Sequence, residues 1–252
     1  MRHAIPKIVW ILLGYVSAIV IAQFLVDPKT AYDVQLNHIF EPMSVSHLLG
    51  TDDYGRDLFT RIVIGARQTL IVSLLTLMVS VCIGVPLGLI SGYLGGKVDT
   101  LVMRIVDIGL GIPEFILMIA MALLRWMTYT RLTRQIVAGL NRAQYVQMAQ
   151  LLQVPHWKIL TQHMCPHIFS SMLVIAIVEF GKIMLYISAL SFLGLGAQPP
   201  TPEWGAMLNA GRDYMTSKPL MILAPALCIT VTILLFQLTG DALRDYFERE
   251  RH

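Results

Sequence analysis

Charge is scarce in this chain. Asp, Glu, Lys and Arg make up only 14% of its 252 residues and balance to a formal +3. That leaves neither the dense basic face a nucleic acid needs nor an acidic tail, so nucleic acid is not among the expected partners. Cysteine is rarer still. Cys82, Cys165 and Cys228 are odd in number, far apart and without C-x-x-C spacing, which argues against a disulfide framework and a structural zinc site. No H-E-x-x-H occurs, and Asp52, Asp53 and Asp57 lack the closing Glu and ordered oxygen spacing of a calcium loop. No metal site and no cofactor is therefore expected. What remains is apolar: 56% of residues are hydrophobic and mean hydropathy is +0.65, more than one soluble core of this length hides. The chain belongs in a bilayer, with lipid as its first partner.

Five apolar stretches are long enough to cross: 8–26, 69–90, 101–124, 168–193 and 220–238. The first follows Arg2 and Lys7. At 1.5 Å per residue it nearly spans the roughly 30 Å hydrocarbon layer, so it reads as an anchor and not as a shorter signal segment. Charge then tests the parity. With Arg2 and Lys7 inside, three crossings leave Arg125, Arg131, Arg134, Arg142 and Lys158 outside, against the positive-inside rule. A further crossing at the junction of Leu124 and Arg125 returns that basic segment, and the tail with Arg244, Arg249 and Arg251, to the cytoplasm. Six crossings fit the charges. The organisation expected is an anchor at 1–26, an extracytoplasmic segment at 27–68, a membrane domain at 69–240 and a cytoplasmic tail at 241–252.

Three local patterns stand out. In SFLGLGAQPPTPEWGAM, 191–207, Gly194 and Gly196 end a helix, Pro199, Pro200 and Pro202 extend the chain, and Trp204 suits the bilayer boundary. In 49–70, the acidic residues before Leu58 read as caps of the helix that follows. Between Gln144 and Gln153, Tyr145, Met148, Ala149 and Leu152 fall at i, i+3, i+4 and i+7, with Gln144, Gln147 and Gln150 on another face, and Pro155 discourages continuation. This is a brief amphipathic helix on the basic side, suited either to a groove in another protein or to a membrane surface.

Charges inside spans are costly, roughly 2.5 to 3.5 kcal/mol each on insertion scales, so each needs a reason. Glu179 and Lys182, spaced i to i+3, neutralise each other on one face or line a path. Asp107 and Glu114 share a face, with Arg104 placed to pair with Asp107 or to reach the cytoplasm, and Pro113 loosens the helix between them. Asp107, Glu114, Glu179 and Lys182 are the candidate lining of a translocation path. His163, Cys165 and His167 crowd one another, but Pro166 breaks their helical presentation, so they read as solvated or partner-facing residues. An intramembrane enzyme built on these histidines would lack paired catalytic motifs.

LGTDDYGRDLFTRIVIGARQTL at 49–70, GLGAQPPTPEWGAML at 194–208, WMTYTRLTR at 126–134 and GDALRDYF at 240–247 together resemble the inner-membrane permeases of dipeptide, oligopeptide and nickel ABC importers, the nickel branch most. The resemblance covers nearly the whole chain. It implies an all-α polytopic transmembrane bundle of the type I importer kind, and import of nickel, as a chelate, or of di- and oligopeptides. The implied assembly is one sister permease, two ATP-binding subunits and an extracytoplasmic solute-binding protein, in a bacterial inner membrane. It implies a conduit and not an enzyme; with no G-x-x-x-x-G-K-[ST] loop in this chain, ATP is handled by other subunits. The segment 141–167 resembles the coupling loop of these permeases, Glu-Ala-Ala with a Gly four residues on and a later Pro. The matching positions are Gln147, Met148, Ala149, Gln153 and Pro166, of which Ala149 and Pro166 keep the family letter. Tyr145, Gln147, Met148, Ala149, Leu152, Gln153 and Pro155 are thus the expected contacts to the ATPase. The chain departs from the family between MIAMALL and RWMTYTRLTR, where roughly 15 to 20 residues, close to one crossing, are missing. Either the third and fourth helices are shortened or re-entrant, or the chain has lost a segment.

Overall fold

A computed structural model describes residues 6–111 and 125–250. Arg2, Pro113, Glu114 and Leu124 lie outside the described residues. Nine α-helices are named here: α1 Lys7–Leu25, α2 Leu58–Leu94, α3 Gly96–Leu110, α4 Trp126–Leu140, α5 Gln144–Leu151, α6 His156–Lys158, α7 Cys165–Phe192, α8 Trp204–Gly211 and α9 Leu220–Glu250. Among the described residues there is no strand beyond a single bridge between Thr51 and Asp57, and four helices are long and apolar enough to cross a membrane: Lys7–Leu25, Leu58–Leu94, His156–Phe192 and Leu220–Phe247. The second begins at Leu58, so the expected boundary at 68/69 falls within one continuous helix; likewise 240/241 falls within α9. The expected span 101–124 is described only through α3.

The chain divides into two compact units, Met1–Leu74 with Phe180–Ala242, and Leu75–Glu179 with Leu243–His252. The first has a core of Leu58, Ile62, Ala66, Met184, Trp204, Met207, Met221 and Ile229. Trp204 corrects an expectation. It is 1% exposed, its indole N–H donates to the Ile62 carbonyl at 2.9 Å, and it fills the core instead of meeting the bilayer boundary. The loop before it is tied inward: the Glu203 carboxylate caps α8 by accepting from the Gly205 and Ala206 amides and takes a hydrogen bond from the Thr69 hydroxyl. A tryptophan so anchored has its one donor satisfied, which lets its whole ring leave water or lipid. Gly194 behaves as the sequence suggests. At φ 81° it ends α7 in a Schellman turn, with Leu195 N–H on Leu190 O and Gly194 N–H on Ser191 O, both at 3.0 Å.

The polar segment before α2 is held by a buried charge cluster. Asp52 accepts from the Tyr54 and Arg56 amides and the Arg56 Nε, and Arg61 reaches the same carboxylate at 3.3 Å while donating to the Ala31 carbonyl. Asp57 is the helix cap, accepting from the Thr60 amide at 2.7 Å. Of the three aspartates only Asp57 caps α2; Asp52 shapes the loop, and burial next to Asp52 pushes the Asp53 carboxyl above its usual range. Tyr15 of α1 shares a 2.8 Å hydrogen bond with Thr232 of α9.

In the second unit, Gly84, Gly88 and Gly92 form a stripe along α2 that admits α4 at backbone contact. A Cβ on Gly88 would lie 2.5 Å from the Thr130 carbonyl, and one on Gly92 2.8 Å from that of Arg134. Small residues at four-residue spacing are what close helix approach in lipid requires, since packing and not water expulsion drives it. Residue numbers rise together along both helices, so α2 and α4 run parallel. α3 runs against α4, because Gly109 packs on Met127 while Asp99 meets Arg134. An α3/α4 hairpin therefore brings the chain back to the α2 C-terminal side. The described helices of that hairpin, α3 and α4, are 15 residues each, about 22 Å at helical rise.

Candidate functional site

The site is built from α5 and its flanks. Ala143, extended at ψ 140°, starts α5 without a side-chain cap. Its inward face is Val146, fully buried, and Ala149 at i+3. Outward stand Tyr145, Met148, Leu151 and Leu152, 42 to 78% exposed, followed by exposed Trp157. The expected apolar face thus splits. Ala149 seats the helix, whereas Tyr145, Met148 and Leu152 face away from the fold together with exposed Gln147. An exposed cluster of this size on a short helix marks a binding surface more readily than a folding one.

The helix ends in a second Schellman turn, Val154 N–H on Ala149 O and Gln153 N–H on Gln150 O, both at 3.0 Å. Gln153 occupies its left-handed position at φ 55°, the place a glycine normally takes because a Cβ is penalised there. This gives a backbone reason for the Gly in the family pattern and shows that Gln153 preserves the turn without it. Gln153→Gly is expected to be tolerated, since relief of the left-handed strain offsets the added chain entropy. Gln153→Val, β-branched, is expected to cost about 1 to 2 kcal/mol, measured as a lower thermal midpoint of the solubilised protein.

Beyond Pro155, α6 and a π-helical segment Ile159–Met164 lead into α7. Ile159 and Met164 are fully buried. His167 is exposed, as the sequence suggests, and its ring lies 5.6 Å from that of Tyr145 on α5.

Three of the four candidate path residues are described. Asp107 pairs with Arg131 of α4 in place of Arg104, and both are substantially exposed. Glu179 pairs with Arg125 at the start of α4, with both side chains close to 10% exposed. Lys182 is exposed, and Glu114 lies outside the described residues. The Glu179 partner, 54 residues distant, is a contact no i,i+3 rule could find; the lone Arg at the α4 start was its sequence signal. Also unforeseen were Asp99 with Arg134 and the inward role of Val146.

The described residues thus combine four helices long and apolar enough to cross a membrane with a short helix whose large apolar side chains face outward. Residues 84–252 match the model of the binding-protein-dependent transport system inner membrane component family, and the chain belongs to that family. Among its relatives are a glutathione transport system permease protein of Pectobacterium atrosepticum, 36% identical over 89% of this chain and 79% of the relative. A nickel transport system permease protein of Escherichia coli K12 is 34% identical over 80% and 78%, and a dipeptide transport system permease protein of Alkalihalophilus pseudofirmus is 35% identical over 93% and 82%. The chain is thus a multi-pass inner-membrane permease subunit of an ABC importer, not an enzyme, and works with ATP-binding and substrate-binding partners.

Proposed function

We propose that α5 docks on an ATP-binding subunit through Tyr145, Gln147, Met148 and Leu152, and that ATP-driven movement of that subunit switches the permease between inward- and outward-open states. The observation that carries this reading is the geometry of α5: Val146 and Ala149 hold it to the fold while its large apolar residues are turned outward. The Schellman turn at Gln153 and Pro155 fix where the surface ends. The complex is read as this chain, one sister permease, two ATP-binding subunits and an extracytoplasmic solute-binding protein. The segment before α2 is its extracytoplasmic cap, and Asp107, Glu114, Glu179 and Lys182 are the charges proposed for the path.

The cargo proposed is nickel carried in an organic chelate, supported by the DYGRDLFTRI and GLGAQPPTPEWGAML runs and by the nickel-transporting relative. A di- or oligopeptide is the second reading, supported by the dipeptide and glutathione relatives, which match this chain as well. A cysteine at Met148 should crosslink to an ATP-binding subunit in the assembled complex. Deleting the gene should lower uptake of radiolabelled nickel; a fall in labelled dipeptide uptake with nickel uptake intact selects the peptide reading.

A further inference from the structure

Both flanks of α5 converge on one residue in the last turn of α2. Tyr93, 7% exposed, shares a 2.6 Å hydrogen bond between its phenol and Nδ1 of His156, which follows α5. The two rings meet edge to face at 5.5 Å. The carbonyl of the same tyrosine accepts from Nδ2 of Asn141, which precedes α5, at 3.3 Å. The Asn141 Oδ1 in turn accepts from Gln150 of α5 at 2.9 Å. One point of attachment would leave α5 free to hinge. Attachment from both ends denies it that rotation, so α5 cannot move without moving the end of α2.

That end is itself gathered. The Ser91 hydroxyl donates to Asp99 of α3 at 2.6 Å, and Arg134 of α4 donates to the same carboxylate at 2.8 Å. Gly92 lies against the Arg134 carbonyl. A displacement delivered at Tyr93 therefore meets α2, α3 and α4 at one level, through contacts too close to absorb it by compression.

We infer that Tyr93 is the positioning residue that carries movement of α5 into α2, with His156 as its outer partner. This rests on the proposed docking of α5 on an ATP-binding subunit. The pair matters for the efficiency of coupling and not for ATP hydrolysis as such, which takes place in another subunit.

The test uses the full complex in proteoliposomes, with radiolabelled nickel and a labelled dipeptide each offered and the one taken up by the parent complex followed. Tyr93→Phe keeps the ring and the Asn141 contact but removes the phenol. His156→Leu removes the other partner at an exposed position, where folding tolerates the change. Each variant is expected to lower uptake per ATP hydrolysed roughly three- to tenfold, the range one hydrogen bond supports. The double variant should be no worse than either single one. His156→Asn, which returns a polar atom near Nδ1, should recover part of the ratio. Uptake per ATP at the parent level in both single variants overturns the inference, as does an additive double variant. The docking reading is judged separately by the Met148 crosslink. Its loss in the parent complex sinks that reading, whereas its persistence in Tyr93→Phe with a lowered ratio supports the latch.

Discussion

Trp204→Ala is expected to remove most of the assembled protein from the membrane. The side chain is the largest fully buried one in the first unit and touches the core that α2, α7, α8 and α9 share. Truncation empties an aromatic volume and deletes the hydrogen bond to the Ile62 carbonyl, and large-to-small changes of this kind cost about 3 to 5 kcal/mol. Against a typical stability of about 5 to 15 kcal/mol, that is a large share. The membrane level of the subunit and the thermal midpoint of the solubilised complex should both fall. Trp204→Phe, which restores most of the apolar volume, should recover the greater part of the loss. A Trp204→Ala variant as abundant and heat-resistant as the parent would show that the indole faces lipid after all.

The second large effect concerns the buried ion pair. Glu179→Gln removes a carboxylate that pairs with the Arg125 guanidinium, at a site where both side chains are close to 10% exposed. Breaking one partner of such a pair costs about 3 to 5 kcal/mol, because the other charge stays out of water. Loss of uptake and of thermal stability should appear together. Replacing both, Arg125→Met with Glu179→Leu, should return stability toward the parent, since the desolvation cost disappears with the charges. The paired variant then separates two roles. Stability and uptake recovered together make the pair structural, whereas stability recovered without uptake gives Glu179 a place in the path.

The sequence was most informative where one residue's own chemistry was enough. The four long apolar helices among the described residues fall on stretches read from hydropathy. Gly194 ended α7 as expected, since a left-handed helix stop is a local requirement. α5 itself was legible from its period and from Pro155. Its faces were less so: Ala149 was grouped with Met148 because both are apolar, while the fold turned the smaller residue inward to let the helix sit close. The same limit misplaced Trp204. An aromatic residue after a Pro-rich loop suits an interface on composition, and only a waiting carbonyl at Ile62 and a cavity of the right size put it in the core.

Hydropathy, charge placement and turn chemistry are properties of single residues or near neighbours, and from them came the membrane class and the short helix, while the family came from the resemblance of four sequence runs. Partnerships across the chain were decided by the tertiary structure: Glu179 with Arg125, Asp107 with Arg131, the glycine stripe with α4, and Tyr93 with both flanks of α5. Each joins residues tens of positions apart. Its energy exists only once two helices lie side by side, so no local pattern announces it.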